Sequence, residues 1–379
     1  MKRRSFIKKL GATAGLCCLG GEACRMITGS LENAYAFSYS TNLSDVEARF
    51  YKKLPEDVVQ CELCPRECVV SDVERGFCGV RENQKGVYKT LVHSRVCSLN
   101  IDPIEKKPLF HFKPGTAAFS LATAGCNVNC KFCQNWSISQ VRPEQVESLV
   151  ITPDDVASEC VKRNVPTIAY TYSEPVVFYE YMYDTAVRSR KDGIANVVIT
   201  GGYINEKPLV ELLDVVDAVK VDLKSFSEDY YRDIVNGELQ PVLDALKIIH
   251  ESGKWLEIVY LVVPTLNDSD EELHQLSRWV RDELSPDVPV HFTRFHPSYL
   301  LTNLPPTPVS TLEKARSIAI DEGLNYPYVG NVPGNDGENT YCPSCGEIVI
   351  RRFGFRIQEV QVSDGKCKHC GYAIPGVWA

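Results

Sequence analysis

The sequence predicts an α/β fold: an open, partial (β/α)6 barrel, preceded by a cysteine-rich preface and followed by a small zinc-ribbon-like module. Three observations carry that expectation. From Ala117 onward, short apolar, β-branched runs alternate with amphipathic stretches, the pattern of repeated βα units feeding a parallel sheet. Sixteen cysteines in 379 residues fall mostly into three tight groups, too few for a disulfide mini-scaffold and too clustered for chance. A composition of 44% hydrophobic and 24% charged residues supports a sizeable core and excludes a disordered or collagen-like chain.

Taken in order, the first element is a leader. Met1-Lys-Arg-Arg-Ser-Phe-Ile-Lys-Lys9 carries a twin arginine, Leu10 to Gly21 is weakly apolar, and Ala34-Tyr-Ala36 offers a small-x-small cleavage site. Residues 1–36 therefore resemble a twin-arginine export signal, with an apolar stretch too short to span a membrane. Its removal leaves 35 basic against 47 acidic residues. Such an acidic protein disfavours a nucleic-acid or anionic-membrane partner, and no stable membrane association is expected after cleavage. The expectation is an extracytoplasmic protein, or a cytoplasmic one if the signal is not used.

Residues 37–115 form the cysteine-bearing preface, and residues 116–331 the barrel. Its strands are expected at 117–123, 167–172, 195–200, 217–222, 256–263 and 289–295. Thr152-Pro-Asp-Asp155 reads as an N-cap, a proline at the first helical position and acid in the first turn, opening a helix to about Arg163. Asp268 to Leu284 and Pro308 to Glu322 are further periodic helices. Six units fall short of the eight of a closed barrel, so the sheet is expected to stay open. Residues 332–379 are too few to fold without a staple.

The central cysteines follow directly on the first strand, at the end of a parallel barrel where active sites lie: Gly125-Cys126-Asn-Val-Asn-Cys130-Lys-Phe-Cys133. Three thiolates can hold three irons of a [4Fe–4S] cluster, which otherwise usually takes four cysteines. The fourth iron is then open to a ligand that is not protein, the requirement for bringing a substrate or cofactor onto a metal. The plain structural reading of the three cysteines is part of a zinc site, but no fourth ligand sits beside them.

This C-x-x-x-C-x-x-C loop resembles that of the radical S-adenosylmethionine (SAM) superfamily, and Phe132 before the last cysteine fits it as well. The resemblance extends over about residues 58–350. Cys61-Glu-Leu-Cys64-Pro-Arg-Glu-Cys68, Gly76-Phe-Cys78-Gly-Val-Arg-Glu-Asn83, Asp102-Pro-Ile-Glu-Lys-Lys-Pro-Leu-Phe-His-Phe112, Cys133-Gln-Asn-Trp136-Ser-Ile-Ser-Gln140 and Arg294-Phe-His-Pro297 are together similar to the radical SAM member of the AmmeMemoRadiSam system. That group is similar in turn to the pyruvate formate-lyase activating enzymes. The resemblance implies that the open iron chelates the amino and carboxylate groups of SAM. An electron from the cluster then cleaves the sulfonium to a 5'-deoxyadenosyl radical, which abstracts hydrogen from a substrate, as in an activating-enzyme-like oxidoreductase acting on a protein. It further implies a reductant of the ferredoxin or flavodoxin type.

Strand ends supply candidates for a SAM shell. Ser173 and Glu174 close the second strand, where the activating enzymes hydrogen-bond the methionine amino group; Ser173-Glu-Pro175 is equally a helix start. Thr200 and Gly201 close the third, where glycine lets a backbone approach ribose, although Gly-Gly after a strand is often only a turn. Lys220 and Asp222, on one face with Lys224 by the period of two, are either an internal ion pair or part of the shell. His296, just past the sixth strand, either faces substrate or is a satisfied structural histidine.

The outer cysteines read as metal sites. Cys342, Cys345, Cys367 and Cys370 form two C-x-x-C knuckles, each followed by glycine, the signature of a closed, structural four-thiolate zinc ribbon. Rubredoxin-like iron uses the same geometry, so the metal is zinc or iron. Cys61, Cys64, Cys68 and Cys78 have the ligand count for zinc or for a second Fe–S cluster, and spacing does not choose between them. Cys97 and Cys160 read as buried single residues, and Cys17, Cys18 and Cys24 would leave with the signal. The reading from a different class is an Fe–S electron carrier or metal scaffold without SAM chemistry. Three cysteines in the central group argue against it, because a carrier needs no open iron.

Overall fold

The computed structural model describes Tyr39–Ser40 and residues 43–378, so the export-signal segment and Cys17, Cys18 and Cys24 lie outside the described residues. The described residues pack as one unit built on an eight-stranded sheet. Its strands are β1 (Ser98–Pro103), β2 (Ala117–Ala122), β3 (Thr167–Tyr170), β4 (Ala195–Thr200), β5 (Ala218–Asp222), β6 (Trp255–Val262), β7 (Val290–Arg294) and β8 (Pro327–Gly330). They lie side by side in chain order, parallel from β2 to β8, with β1 antiparallel at the β2 edge. The two edges, β1 and β8, do not pair, so the barrel is partial.

All six expected strands are present, each within three residues of its expected limits. The structure adds a seventh parallel strand, β8. It opens on a proline and is only four residues long, too short to stand out by periodicity, and its pairing with β7 defines it.

One helix of at least eight residues follows each of the first six parallel strands: α1 (Pro153–Arg163), α2 (Tyr179–Ser189), α3 (Glu206–Leu213), α4 (Gln240–Glu251), α5 (Asp270–Trp279) and α6 (Val309–Asp321). The Thr152 hydroxyl accepts the Asp155 N–H while the Asp155 carboxylate accepts the Thr152 N–H, a reciprocal cap that fixes where α1 begins. The Ser269 hydroxyl caps α5 by accepting the Glu272 N–H at 3.3 Å. After α5 the backbone widens to a π turn at Val280–Leu284.

The N-terminal end of the sheet is plugged by the preface. Small residues on β2, β3 and β5 (Ala118, Ala169, Ala218) make room for Ile104, Leu109 and Phe112, all buried. Elsewhere the preface is pinned to α2 by the Arg81–Glu180 ion pair at 2.6 Å, which is shut off from water. The C-terminal module, strands β9 (Thr340–Tyr341), β10 (Ile348–Phe353) and β11 (Arg356–Val360), packs its Cys342, Val349 and Cys367 against Phe110, Tyr326 and Tyr328. Among the described residues no helix is long and apolar enough to cross a membrane.

Candidate active site

The C-terminal ends of the parallel strands surround a cavity of about 570 Å³, within the range of small-molecule sites, about 300–1,000 Å³. Cys126, Cys130 and Cys133 all line it, brought there by the loop that leaves β2. Among the described residues no fourth cysteine does. The residue that starts this loop must be glycine. Gly125 has a φ of +99°, and a Cβ there would stand 2.7 Å from Val80 Cγ1 and 2.9 Å from the Cys78 carbonyl oxygen. Burial pushes all three thiols up, Cys130 to about 12, so they stay protonated unless a metal takes the proton's place.

Around the thiols stand the charged groups of the neighbouring strand ends. Glu174, wholly buried, accepts from the Thr200 hydroxyl at 2.5 Å, the Gly201 N–H at 2.8 Å and the Val176 N–H at 3.1 Å. Glu174 caps the short helix Pro175–Phe178, as the helix-start reading of Ser173-Glu-Pro175 expects, and it also lines the cavity. Burial raises its carboxyl in spite of these donors. On β5 the carboxylate of Asp222 bonds Lys220 and, at 3.1 Å, Lys224. Burial alone would push the Asp222 carboxyl up, yet the two ammonium groups hold it down at about 2. Burial lowers Lys220, whereas Lys224, although burial opposes its charge, is raised by Asp222 and Cys130.

The structure thus brings Cys126, Cys130, Cys133, Ser173, Glu174, Gly201, Lys220 and Asp222 onto one cavity. Two expected residues are corrected. Thr200 does not line the cavity; its hydroxyl is spent on Glu174 and makes it a positioning residue. His296 is exposed and outside the lining, because β7 ends at Arg294 and the last inward position by the period of two is Thr293.

Sequence reasoning passed over the other rim of the cavity. Asp102 binds Lys106 at 2.8 Å, Lys107 at 2.6 Å and the Tyr172 hydroxyl, and Lys107 sits 4.3 Å over the Tyr172 ring. Burial would raise the Asp102 carboxyl, but those donors hold it at about 2, while burial brings Lys107 down to about 8. Tyr172 reaches this position through a φ of +66°, uncommon for a non-glycine residue. The available signal was Lys106-Lys107-Pro108 in a motif already singled out.

At the far end of the chain Cys342, Cys345, Cys367 and Cys370 have their sulfurs within 4.8 Å of one another. The Cys342–Cys370 and Cys345–Cys367 separations are 3.6 and 3.9 Å. A tetrahedral ion about 2.3 Å from each sulfur sets them about 3.8 Å apart, so this group fits one metal ion.

An open parallel sheet with three thiols and no fourth at the C-terminal ends of its strands defines an enzyme that presents an iron–sulfur cluster to a ligand. The chain belongs to the radical SAM superfamily, whose model matches residues 120–277. An uncharacterized protein of Methanocaldococcus jannaschii is 49% identical over 330 residues, 86% of this chain and 98% of its own. The pyruvate formate-lyase 1-activating enzyme of Escherichia coli K12 is 26% identical over 211 residues, 51% of this chain and 85% of that enzyme. Among solved structures, a radical SAM methyltransferase from Sphaerobacter thermophilus overlaps 60% of this chain and 71% of its own, with a TM-score of 0.47 and 18% identity.

Membership implies a [4Fe–4S] cluster and SAM, and the residues fit both. The thiol set leaves one iron without a protein ligand. Glu174 adds an acceptor for an ammonium group, and the cavity is large enough for a nucleoside.

Proposed function

We propose that this enzyme holds its cluster on Cys126, Cys130 and Cys133, binds SAM in the adjoining cavity and acts as an activase on a protein substrate. The single observation that carries this reading is the convergence of those thiols with Glu174, Lys220 and Asp222 on one cavity at the C-terminal strand ends. When bound, the cluster and SAM together supply a 5'-deoxyadenosyl radical for hydrogen abstraction. The chain's own residues bind and aim. Glu174, fixed by Thr200 and Gly201, accepts from the methionine ammonium. Gly201 keeps the wall low where ribose passes, and the apolar Val259 and Leu261 exclude water.

The protein-substrate reading rests on the likeness to pyruvate formate-lyase activating enzymes. The motifs at Cys61–Cys68, Gly76–Asn83 and Asp102–Phe112 favour the radical SAM member of the AmmeMemoRadiSam system in particular. The electron comes from a donor of the ferredoxin or flavodoxin class. The test is anaerobic reconstitution with iron and sulfide, followed by SAM and dithionite. The expected product is 5'-deoxyadenosine, with a protein radical in a cognate partner by EPR; its absence from fully reconstituted enzyme overturns the reading.

We also propose that Arg3-Arg4 directs export by the twin-arginine route, which carries folded, cluster-loaded protein. Fractionation with mass analysis of the N-terminus tests it. Cleavage after Ala36, abolished by Arg3→Lys with Arg4→Lys, supports export, and an intact Met1 in purely cytoplasmic material refutes it.

A further inference from the structure

Among the described residues six thiols lie outside the active site and the C-terminal ion site; Cys97 and Cys160 are single residues, and Cys61, Cys64, Cys68 and Cys78 form a group. None is in a disulfide, Cys61 and Cys64 are buried, and Cys68 and Cys78 are half-buried. All four line one void of about 20 Å³. That is more than the 10–15 Å³ or so that a single water requires.

Four sulfurs gathered about 2.3 Å from one ion would stand about 3.8 Å apart and leave no such void between them. The C-terminal group obeys that geometry. Among the described residues, however, no other set of three thiol, imidazole or carboxylate ligand atoms lies mutually within 4.8 Å. Neither the preface thiols nor Cys126, Cys130 and Cys133 therefore have the tight spacing of the single-ion site. With four thiols every iron of a cubane has a protein ligand.

We propose that Cys61, Cys64, Cys68 and Cys78 hold a second [4Fe–4S] cluster, closed to exogenous ligands, whose iron and sulfide core fills the void between them. Its position gives it a task. Asn127 lines this void, while its chain neighbours Cys126 and Val128 line the active-site cavity, so the wall between the two sites is one residue thick. The Cys78 carbonyl lies against Gly125, as the space beside that glycine shows, and Arg66 bonds the Asn127 carbonyl from the preface side. Phe77, which also lines the void, is 46% exposed, so the site reaches solvent at that residue. An electron from a ferredoxin- or flavodoxin-class donor enters there. The donor is oxidised by one electron, the preface cluster is reduced and then reoxidised as the active-site cluster gains that electron, and no bond or proton moves. The relay rests on the active-site reading; the cluster itself does not.

The test uses the full chain, loaded with iron under anaerobic conditions, with acid-labile sulfide, metal content and EPR as readouts. The wild type is expected to hold about eight labile sulfides, two clusters' worth. The triple variant Cys126→Ala, Cys130→Ala, Cys133→Ala should keep half of them, with a reduced-state EPR signal that SAM leaves unchanged. Cys61→Ala with Cys64→Ala should lose the other half and should slow SAM cleavage driven by a protein donor more than cleavage driven by dithionite. A triple variant without labile sulfide, or with a second zinc per chain in place of iron, overturns the proposal even if the preface variant fails to fold. If the triple variant keeps its cluster while the wild type makes no 5'-deoxyadenosine, the preface cluster stands and the active-site reading falls.

Discussion

The two ends of the same sheet treat buried charge in opposite ways. At the N-terminal end Glu257 on β6 is wholly buried and satisfied by protein alone. It accepts from the backbone N–H groups of Phe110 and His111 at 2.9 and 2.8 Å and from Trp255 Nε1 at 2.9 Å, and pairs with His291 Nε2 at 2.7 Å. His111 in turn meets the Pro375 carbonyl and the Tyr328 hydroxyl, so preface, barrel and C-terminal module are locked through one cluster. Two and four residues along the same strand, Val259 and Leu261 line the open cavity with Glu174, Lys220 and Asp222. Identical strand geometry thus gives a closed polar network at one end and charged groups lining an open cavity at the other. What differs is whether other protein covers the strand ends. Buried charge marks function here only where it faces a cavity.

The comparison is broken most severely by Cys130→Ala. It should abolish the active-site cluster spectrum and all SAM cleavage while the C-terminal ion stays bound, as separate absorption and metal measurements would record. Retained cleavage at the wild-type rate would put the reaction elsewhere.

At the closed end Glu257→Ala should cost about 3–5 kcal/mol of stability in denaturant unfolding, the usual penalty for breaking a buried pair, without altering the iron of the active-site cluster in the folded fraction. The same network should make the fold acid-sensitive. Burial holds His111 down at about 4, and His291 is lowered for the same first reason. Between about pH 6.5 and 4 the unfolded chain takes up a proton at His111 that the folded chain refuses. Stability is therefore full above that window and falls as pH drops through it, by about 3 kcal/mol from His111. Burial would raise Glu257, yet its histidine and tryptophan partners bring it below its usual 4.5, which adds a further loss below that pH. Urea midpoints at pH 7, 5.5 and 4 check this; a flat profile would mean the network carries little stability.

A smaller effect at the open end sharpens the contrast. Glu174→Gln keeps the shape and removes the charge, so it should weaken SAM binding by about tenfold or more, the worth of one charge-assisted hydrogen bond, while unfolding stability barely moves. The smallest effect belongs to His296→Ala, outside the cavity and exposed, which should change SAM cleavage by less than about twofold.

Much of this was legible in the sequence because its signals are local. β-Branched runs marked the six strands, the Thr152 cap is complete within four residues, and the cysteine loop sits directly behind its strand. What was not legible depends on contacts between distant segments. Asp102 meets Tyr172 across 70 positions and Glu257 meets His111 across 146, and nothing in either neighbourhood encodes the partner. β8 gains its identity only from β7. His296 drew attention by residue type, and its placement turned on a strand end two residues earlier.

The proposed function requires that SAM bind directly to an iron that lacks a protein ligand. EPR of the dithionite-reduced enzyme, recorded with and without SAM in the Cys61→Ala, Cys64→Ala background that leaves the active-site cluster alone, tests it most directly. SAM should change the spectrum, with Glu174→Gln needing about tenfold more SAM to reach the same change. A reduced-cluster spectrum that saturating SAM leaves unchanged would refute direct binding of SAM to the iron.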